Sequence, residues 1–273
     1  MKGCIFVGRK PLFVASNKYL NRMKRKFDTD TAGFSGTLDP FAVGVLVIGT
    51  HGYTKLFNYI NLEPKVYRAV LWLGAKSDTL DIEGVHEVAQ TKPFDENEVK
   101  KAVEELAKVT KIVPPKYSAK RIGGVRAYEL ARKNVDVELK ECDITVFESK
   151  FISYRHPFVT FEVNVSKGTY VRTLGEIVAK NLNVEGSLSY LERIQEGDFV
   201  FNGYKIEDIK SRLTPILNTY KKDKTDIILG KKLSVDDFEI TNDGFYYVEL
   251  ESTLCILEIR DGKVSYKLNN IEI

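Results

Sequence analysis

From Val43 to Ile48 the chain carries an apolar run interrupted only by Gly44, the pattern of a buried strand. Cys4 to Val7 and Tyr67 to Leu73 read as further strands, and Val159, Phe161, Val163 and Val165 alternate as a half-buried one. Helical spacing appears in three places. Ser16 stands where it can cap a helix through about Phe27, with Leu20, Met23 and Phe27 on the apolar side and basic residues opposite. Asp95 with Glu98 has the form of a capping box ahead of Val99, Ala102, Val103 and Leu106, and a helix from about Val171 to Asn181 follows the alternating strand. Strands and helices mix without a regular βαβ rhythm, so the class is α+β. A polar, Lys-rich stretch near Ser211 to Thr225 breaks the pattern. Beyond it Tyr246-Val248-Leu250, Leu254-Ile256 and Val264-Tyr266-Leu268 read as short strands separated by Asn242-Asp243-Gly244 and Asp261-Gly262 turns. The expected division is a domain over 1–212 and a small β domain over 213–273.

The length of 273 residues and 43% hydrophobic content suit one large domain, or a domain with a small appendage. No apolar run approaches the ~20 residues of a membrane span, and the N-terminus enters a strand with no signal-peptide layout. Cys4, Cys142 and Cys255 are scattered and odd in number, which favours reduced thiols and a cytoplasmic setting over a disulfide framework or zinc cluster. A net charge of +3 alone does not indicate a nucleic-acid partner, but the charge is uneven. Arg9, Lys10, Lys18, Arg22, Lys24, Arg25 and Lys26 all precede the first acid, Asp28; a second basic group from Lys111 to Lys133 surrounds a lone Glu129. Such patches neutralise phosphates or form solvated helix faces.

The densest candidate chemistry lies at residues 33–50. Gly33 and Gly36 permit tight turns, Pro40 fixes the chain after Asp39, and the buried strand follows, so one acid is presented on a rigid loop. Taken alone, Leu38-Asp39-Pro40 is more often a β-turn whose Asp caps neighbouring amides. The stretch resembles the signature of the bacterial tRNA pseudouridine-55 synthase family, TruB, through Gly36, Leu38, Asp39, Pro40, Ala42, Gly44, Val45 and Leu46, with Thr54-Lys55 after it. Phe34 stands where the family usually carries a His that helps pinch the RNA loop. An aromatic ring there can stack on a base.

Further segments extend the resemblance across most of Gly3 to Ile209. Tyr67, after Lys65-Val66, resembles the family tyrosine that stacks on the target base near the C5 proton; read alone, a strand Tyr is more often a core or surface ring. Ser166-Lys167-Gly168-Thr169-Tyr170-Val171-Arg172-Thr173 matches a third motif. Gly168 allows a sharp strand-to-helix transition, Thr169 can cap the helix, and Arg172 falls in its first turn. A cation there opposes the helix dipole at roughly a few tenths of a kcal/mol unless a carboxylate answers it. Any nearby acid could do so, and the resemblance implies Asp39. It also places Tyr170 beside the site, Leu191 under the flipped base, and Lys65 and Lys167 among the substrate-binding residues. Pro114-Pro115-Lys116-Tyr117-Ser118 resembles a family segment followed by a mobile basic insert, here about 119–147 with Lys120, Arg121 and Arg126. Without the family this is a stiff diproline element leading into a glycine-hinged exposed loop.

Other chemistries lack support. Gly49 to Lys55 does not have phosphate-loop spacing. Asp78 and Asp81 read as a solvated loop, and His51, His86 and His156 have no ligand spacing. No Gly-x-Ser-x-Gly elbow is present.

The resemblance implies a pseudouridine synthase fold, a mixed and largely antiparallel bent sheet flanked by helices, with an abbreviated PUA-like β domain. It implies a monomer that isomerises uridine 55 in the T loop of tRNA with Asp39, Tyr67 and Arg172 as catalytic residues. No cofactor, metal, membrane or protein partner is implied. The alternatives are a noncatalytic tRNA-folding chaperone on the same fold and a related synthase with another RNA target.

Overall fold

The computed structural model describes residues 3–118, 120–133, 135 and 139–273, without the side chains of Arg121, Ile122 and Arg132. The chain runs β1 (Ile5–Lys10), α1 (Ser16–Lys26), β2 (Ala32–Phe34), β3 (Val43–Thr50), β4 (Lys65–Leu73), β5 (Ala75–Ser77), β6 (Val85–Val88) and α2 (Glu96–Glu104). Next come β7 (Lys111–Ile112) and, in the basic insert, β8 (Arg121–Ile122), β9 (Val125–Arg126), α3 (Ala127–Arg132) and β10 (Cys142–Asp143). Then come β11 (Val146–Arg155), β12 (Phe158–Val165), α4 (Val171–Asn181), β13 (Gly186–Glu196) and β14 (Phe199–Val200). The C-terminal part holds β15 (Ile216–Leu217), α5 (Thr225–Ile228), β16 (Gly244–Glu249), β17 (Thr253–Arg260) and β18 (Lys263–Glu272).

The central sheet has the order β1-β3-β13-β4-β12-β11, with β2 added to β3 and β14 to β13. Every pairing is antiparallel except β13 with β3, where Glu192 and Arg193 lie beside Val43 and Gly44. That parallel pairing joins the two halves of the sheet, β1-β3 and β13-β4-β12-β11, beside the loop that carries Asp39. Alternation puts Tyr67, Ala69, Leu71 and Leu73 of β4 and Val159, Phe161, Val163 and Val165 of β12 on one face, where α2 and α4 cover them. Strand β3 is buried at all eight positions. One face meets Tyr19, Leu20 and Met23 of α1, the other meets Tyr53, Leu56 and Ile60, and an unbroken apolar run is the pattern that burial on both faces selects.

Two expected caps are replaced by other contacts. Ala15, not Ser16, precedes α1, and the Ser16 hydroxyl donates to Leu38 O at 2.8 Å while accepting from Leu38 N at 3.0 Å. Tyr170, not Thr169, is the residue before α4, with no side-chain cap. Asp95 caps α2 by accepting from Asn97 N, without the return bond from Glu98 that would complete a box.

The C-terminal sheet, β15-β16-β17-β18, encloses its own apolar cluster of Tyr220, Ile227, Leu233, Phe238, Val248, Leu250, Cys255 and Leu257. Its other face is not free. Leu254 and Ile256 of β17 and Ile271 of β18 join Val45, Val47, Leu56 and Ile60 in a shared core. Each fully buried aliphatic side chain is worth about 1.5–3 kcal/mol, so these three alone approach the ~5–15 kcal/mol net stability of a domain. A chain ending near Arg212 is therefore expected to lose cooperative melting and to aggregate, rather than to fold with weaker substrate affinity. Thermal melting of the truncated protein checks this, and a soluble fragment with a sharp transition would contradict it.

Candidate active site

The loop between β2 and β3 is held at several points by side chains from distant elements. Ser16 fixes Leu38, as described above. Arg193, on β13, donates from Nη2 to Gly36 O at 3.1 Å and from Nε to Val45 O at 2.8 Å. Glu196, fully buried, accepts from the Ser35 hydroxyl at 2.8 Å and pairs with both Lys65 (2.8 Å) and Arg193 (3.1 Å). Gly36 does not adopt a turn conformation that demands glycine; a Cβ there would stand 2.8 Å from Lys65 Nζ, so the residue permits a close approach. Leu38 and Phe41 are buried on either side of Asp39, whose side chain remains about one-third exposed. The loop thus offers one carboxylate from a rigid frame.

Lys10 is the deepest of these supports. Grouped in the sequence with a basic patch that meets phosphates or solvent, it is instead fully buried, with Nζ donating to the carbonyls of Pro11, Val14, Pro40 and Ala42. Burial pushes its pKa down to about 8, against the charge of Asp39, which acts to raise it. Above that pH a neutral amine has only two protons to share among four carbonyls, so catalytic activity is expected to decline along an alkaline limb near pH 8. Because the folded value lies below the unfolded 10.5, the unfolded chain binds more protons between the two, and this group's contribution to stability rises with pH there. The loss is therefore one of loop geometry, not of global stability. A kcat/KM profile that is flat from pH 7 to 9 would contradict it.

Arg172 answers its unfavourable position in the first turn of α4 with two carboxylates. Its side chain is almost fully buried, with Nε 2.9 Å from Asp39 Oδ2 and Nη1 3.3 Å from Asp81 Oδ2. Nη1 also donates to Thr79 O at 2.6 Å and Nη2 to Tyr117 O at 2.9 Å. Asp81 is only 4% exposed, which corrects its reading as part of a solvated loop. Its Oδ1 accepts from the Thr79 hydroxyl at 2.6 Å and from Glu83 N at 3.0 Å. Burial raises its pKa; the Thr79 hydroxyl, Arg172 and the Glu83 amide oppose the shift. Glu83 is likewise raised, first by burial and then by the charge of Asp81. The guanidinium is thus a bridge, with one acid facing solvent and one behind it.

A cavity of about 440 Å³ opens in front of Asp39. Tyr67, Pro114, Tyr170, Val171 and Leu191 give it apolar walls, and Lys65, Lys120, Lys167 and Arg193 contribute cations. Asp39 is the one carboxylate among its described lining residues. Burial raises the Tyr170 phenol, so it is a neutral ring at physiological pH. Lys65 and Arg193 share the single Glu196 carboxylate, whereas Lys120 is half-buried and Lys167 exposed. The arrangement can hold a flat, uncharged ring between aromatic and aliphatic surfaces while presenting the Asp39 side chain to its edge.

These features match known proteins along the whole chain. A family model described as TruB family pseudouridylate synthase (N terminal domain) matches residues 24–171. A protein of Sulfurimonas denitrificans named tRNA pseudouridine synthase B is 50% identical over 98% of this chain and 98% of its own length. Relatives of the same name in Sulfurovum sp. and Campylobacter jejuni are 44% and 40% identical, over 98% of this chain and 96% and 98% of theirs. The chain belongs to the TruB family. Its fold is shared with a solved Cbf5-Nop10-Gar1 complex at a TM-score of 0.69 and 16% identity, covering 97% of this chain and 84% of that one. An archaeal box H/ACA sRNP Nop10-Cbf5 complex gives 0.67 at 16% identity, covering 98% and 85%. The α+β class with a largely antiparallel sheet is therefore the pseudouridine synthase fold.

Among the TruB residues expected from the sequence, Asp39, Lys65, Tyr67, Lys120, Lys167, Tyr170, Arg172 and Leu191 all converge on the cavity. Phe34 does not line it. It lies on β2 opposite Ile48 and packs against the cluster around α1. Pro114 and Pro115 are buried, and Tyr117 is tied to Arg172, so the diproline element is part of the site and not merely an exposed loop. The glycines after it close a hairpin: Gly123 and Gly124, at φ +55° and +87°, join β8 to β9, the conformations a tight two-residue turn requires. Arg126 stands on β9; the side chain of Arg121 lies outside the described residues. Among the described residues no group of three His, Cys, Asp or Glu side chains is placed to hold a metal, and no helix is long and apolar enough to cross a membrane.

Asp81, Lys10, Ser16 and Glu196 were not legible as site residues. The misplaced charge of Arg172 signalled that an acid was needed, but not that there would be two.

Proposed function

We infer that this protein isomerises uridine to pseudouridine in tRNA, at uridine 55 of the T loop. The observation that carries this reading is the Asp39 carboxylate, held by Arg172 at the mouth of a cavity of about 440 Å³ whose aromatic and aliphatic walls can take a pyrimidine base. A uridine stacked in a folded loop must first leave the stack, at a cost of about a few kcal/mol that RNA contacts and aromatic stacking offset. Tyr67 and Leu191 take the base between them, and Tyr170 closes one side. The N1–C1′ bond then breaks, the base turns, C5 bonds to C1′, and the C5 proton leaves while N1 gains one. Atoms and electrons balance within the nucleotide, so the conversion needs no oxidant, reductant or nucleotide triphosphate.

Asp39 serves the step as the acidic group next to an anomeric carbon that gains positive character, whether it attacks C1′, adds to C6 or removes a ribose proton. The Arg172 guanidinium, with Nε 2.9 Å from Asp39 Oδ2, holds it in that orientation. Tyr67 stands near the proton that leaves C5. Lys120, Lys167, Arg121 and Arg126 supply cations for the T-arm phosphates, which position the loop without reading its sequence. All of these groups come from one chain, in keeping with a monomer that acts on cytoplasmic tRNA without a protein partner.

Mapping pseudouridine in tRNA from cells lacking this protein, with and without a plasmid copy, tests the reading. Position 55 is expected to carry uridine in the deleted strain and pseudouridine in the complemented one. Pseudouridine retained at 55 in the deleted strain would overturn it.

A further inference from the structure

The segment between β1 and α1 presents a costly feature that the cavity does not use. Phe13 is 64% exposed and adopts a left-handed backbone at φ +57°. An exposed ring gives up burial, and a residue with a Cβ is disfavoured in that conformation; glycine would remove both costs. Strain retained in this way points to a task for the side chain. The loop that carries Phe13 is held on both sides. Lys10 Nζ donates to Pro11 O and to Val14 O, bracketing the ring, and the same ammonium donates to Pro40 O and Ala42 O just after Asp39. One buried cation therefore fixes the position of Phe13 relative to the catalytic loop.

The helix that follows is charged in an ordered way. Lys18, Arg22 and Arg25 recur at i, i+4 and i+7, opposite the buried Tyr19, Leu20 and Met23, and all three are exposed. No acid occurs from the N-terminus to Phe27, and no ion pair engages any of the three among the described residues. The stripe covers about 10 Å of helix. Its near end is anchored at the active-site loop by the two Ser16–Leu38 hydrogen bonds.

We propose that Phe13 and the Lys18-Arg22-Arg25 stripe form a second RNA contact surface outside the cavity, in which the ring stacks on an unpaired base and the cations meet phosphates of the tRNA. An exposed aromatic at the head of an unpaired basic stripe fits a nucleic acid strand, because every base offers a face to stack and every nucleotide a phosphate to neutralise. The surface rests on the tRNA reading above and extends it: it orients the tRNA on the enzyme while Asp39 carries out the chemistry.

The test uses the full-length protein and an unmodified tRNA transcript, with binding measured over a range of KCl concentrations, together with melting and steady-state kinetics. F13A is expected to weaken binding by about fivefold or more, raising KM more than it lowers kcat, and F13W to restore binding to within about twofold. F13G separates function from fold: it relieves the backbone and should melt no lower than wild type, yet bind as weakly as F13A. Replacing Lys18, Arg22 and Arg25 together with Ala should flatten the log–log salt dependence by about two to three units. Wild-type binding by F13G would overturn the stacking role, whether Phe13 serves only the turn or a protein partner instead. An unchanged salt slope in the triple variant would overturn the phosphate contacts. A wild-type protein that forms no pseudouridine in this transcript would instead refute the tRNA reading itself, so the two failures are distinguishable.

Discussion

Asp39→Asn is expected to abolish pseudouridine formation, with a loss of more than about 10³-fold in turnover, while affinity for tRNA stays within about tenfold of wild type. The amide has nearly the same shape and keeps an oxygen for Arg172, so the loop, anchored through Ser16, Lys10 and Arg193, retains its position. What disappears is the one negative charge among the described residues that line the cavity. Most of the binding energy for tRNA comes from phosphate neutralisation across a surface far larger than the cavity, and none of that depends on Asp39. Release of a label from C5 of the target uridine, measured beside equilibrium binding, checks both parts. Substantial turnover by the purified variant would show that another group performs the chemistry.

Arg172→Met is expected to lose activity to a similar degree, and also to destabilise the protein by about 3–5 kcal/mol, the cost of leaving a buried ion without its partner. That ion is Asp81. Asp39 is partly exposed and can recover some hydration, but Asp81, at 4% exposure, keeps only the Thr79 hydroxyl and the Glu83 amide. Its pKa, already raised by burial, would rise further without the cation. A folded-state pKa above the unfolded value means that the folded protein binds more protons in between, so stability falls as pH climbs through that window, and the variant should melt higher at mildly acidic pH than at neutrality. Adding Asp81→Asn to Arg172→Met removes the orphaned charge and should recover most of the lost melting temperature while leaving turnover absent. If the double variant remains as unstable as the single one, the destabilisation arises from lost packing or from the carbonyls of Thr79 and Tyr117, not from Asp81.

The single and double variants together separate two uses of one guanidinium. Toward solvent it holds Asp39, the acid proposed to react; toward the interior it neutralises Asp81, which keeps it in place. A lone Asp39–Arg172 pair would leave the guanidinium free to follow the carboxylate outward. Asp81, Thr79 O and Tyr117 O hold its other edge from two separate segments, which is how a side chain on a short helix acquires a fixed direction.

Residues that act through their local neighbours were legible from the sequence. The unbroken apolar run of β3, the alternation of β12 and the spacing of α4 from Val171 to Asn181 each follow from periodicity, because a strand or helix sorts its own side chains by face. The motifs around Asp39, Tyr67 and Arg172 identified the family and brought the same residues to one cavity. Only tertiary structure decided which charges belong together. Lys10 reads as one cation in a basic cluster, yet it is buried among carbonyls from two loops. Asp81 reads as a loop acid, yet it sits behind an arginine 91 positions away. Glu196 shows no sign of pairing with Lys65 across 131 positions. Pairings of this kind depend on how the sheet joins β13 to β3, and no local period encodes them. The same holds for the C-terminal strands. Their pattern predicts a small β domain, but whether the apolar residues of β17 close one core or two depends on what packs against the second face, and the second face meets the shared core with β3.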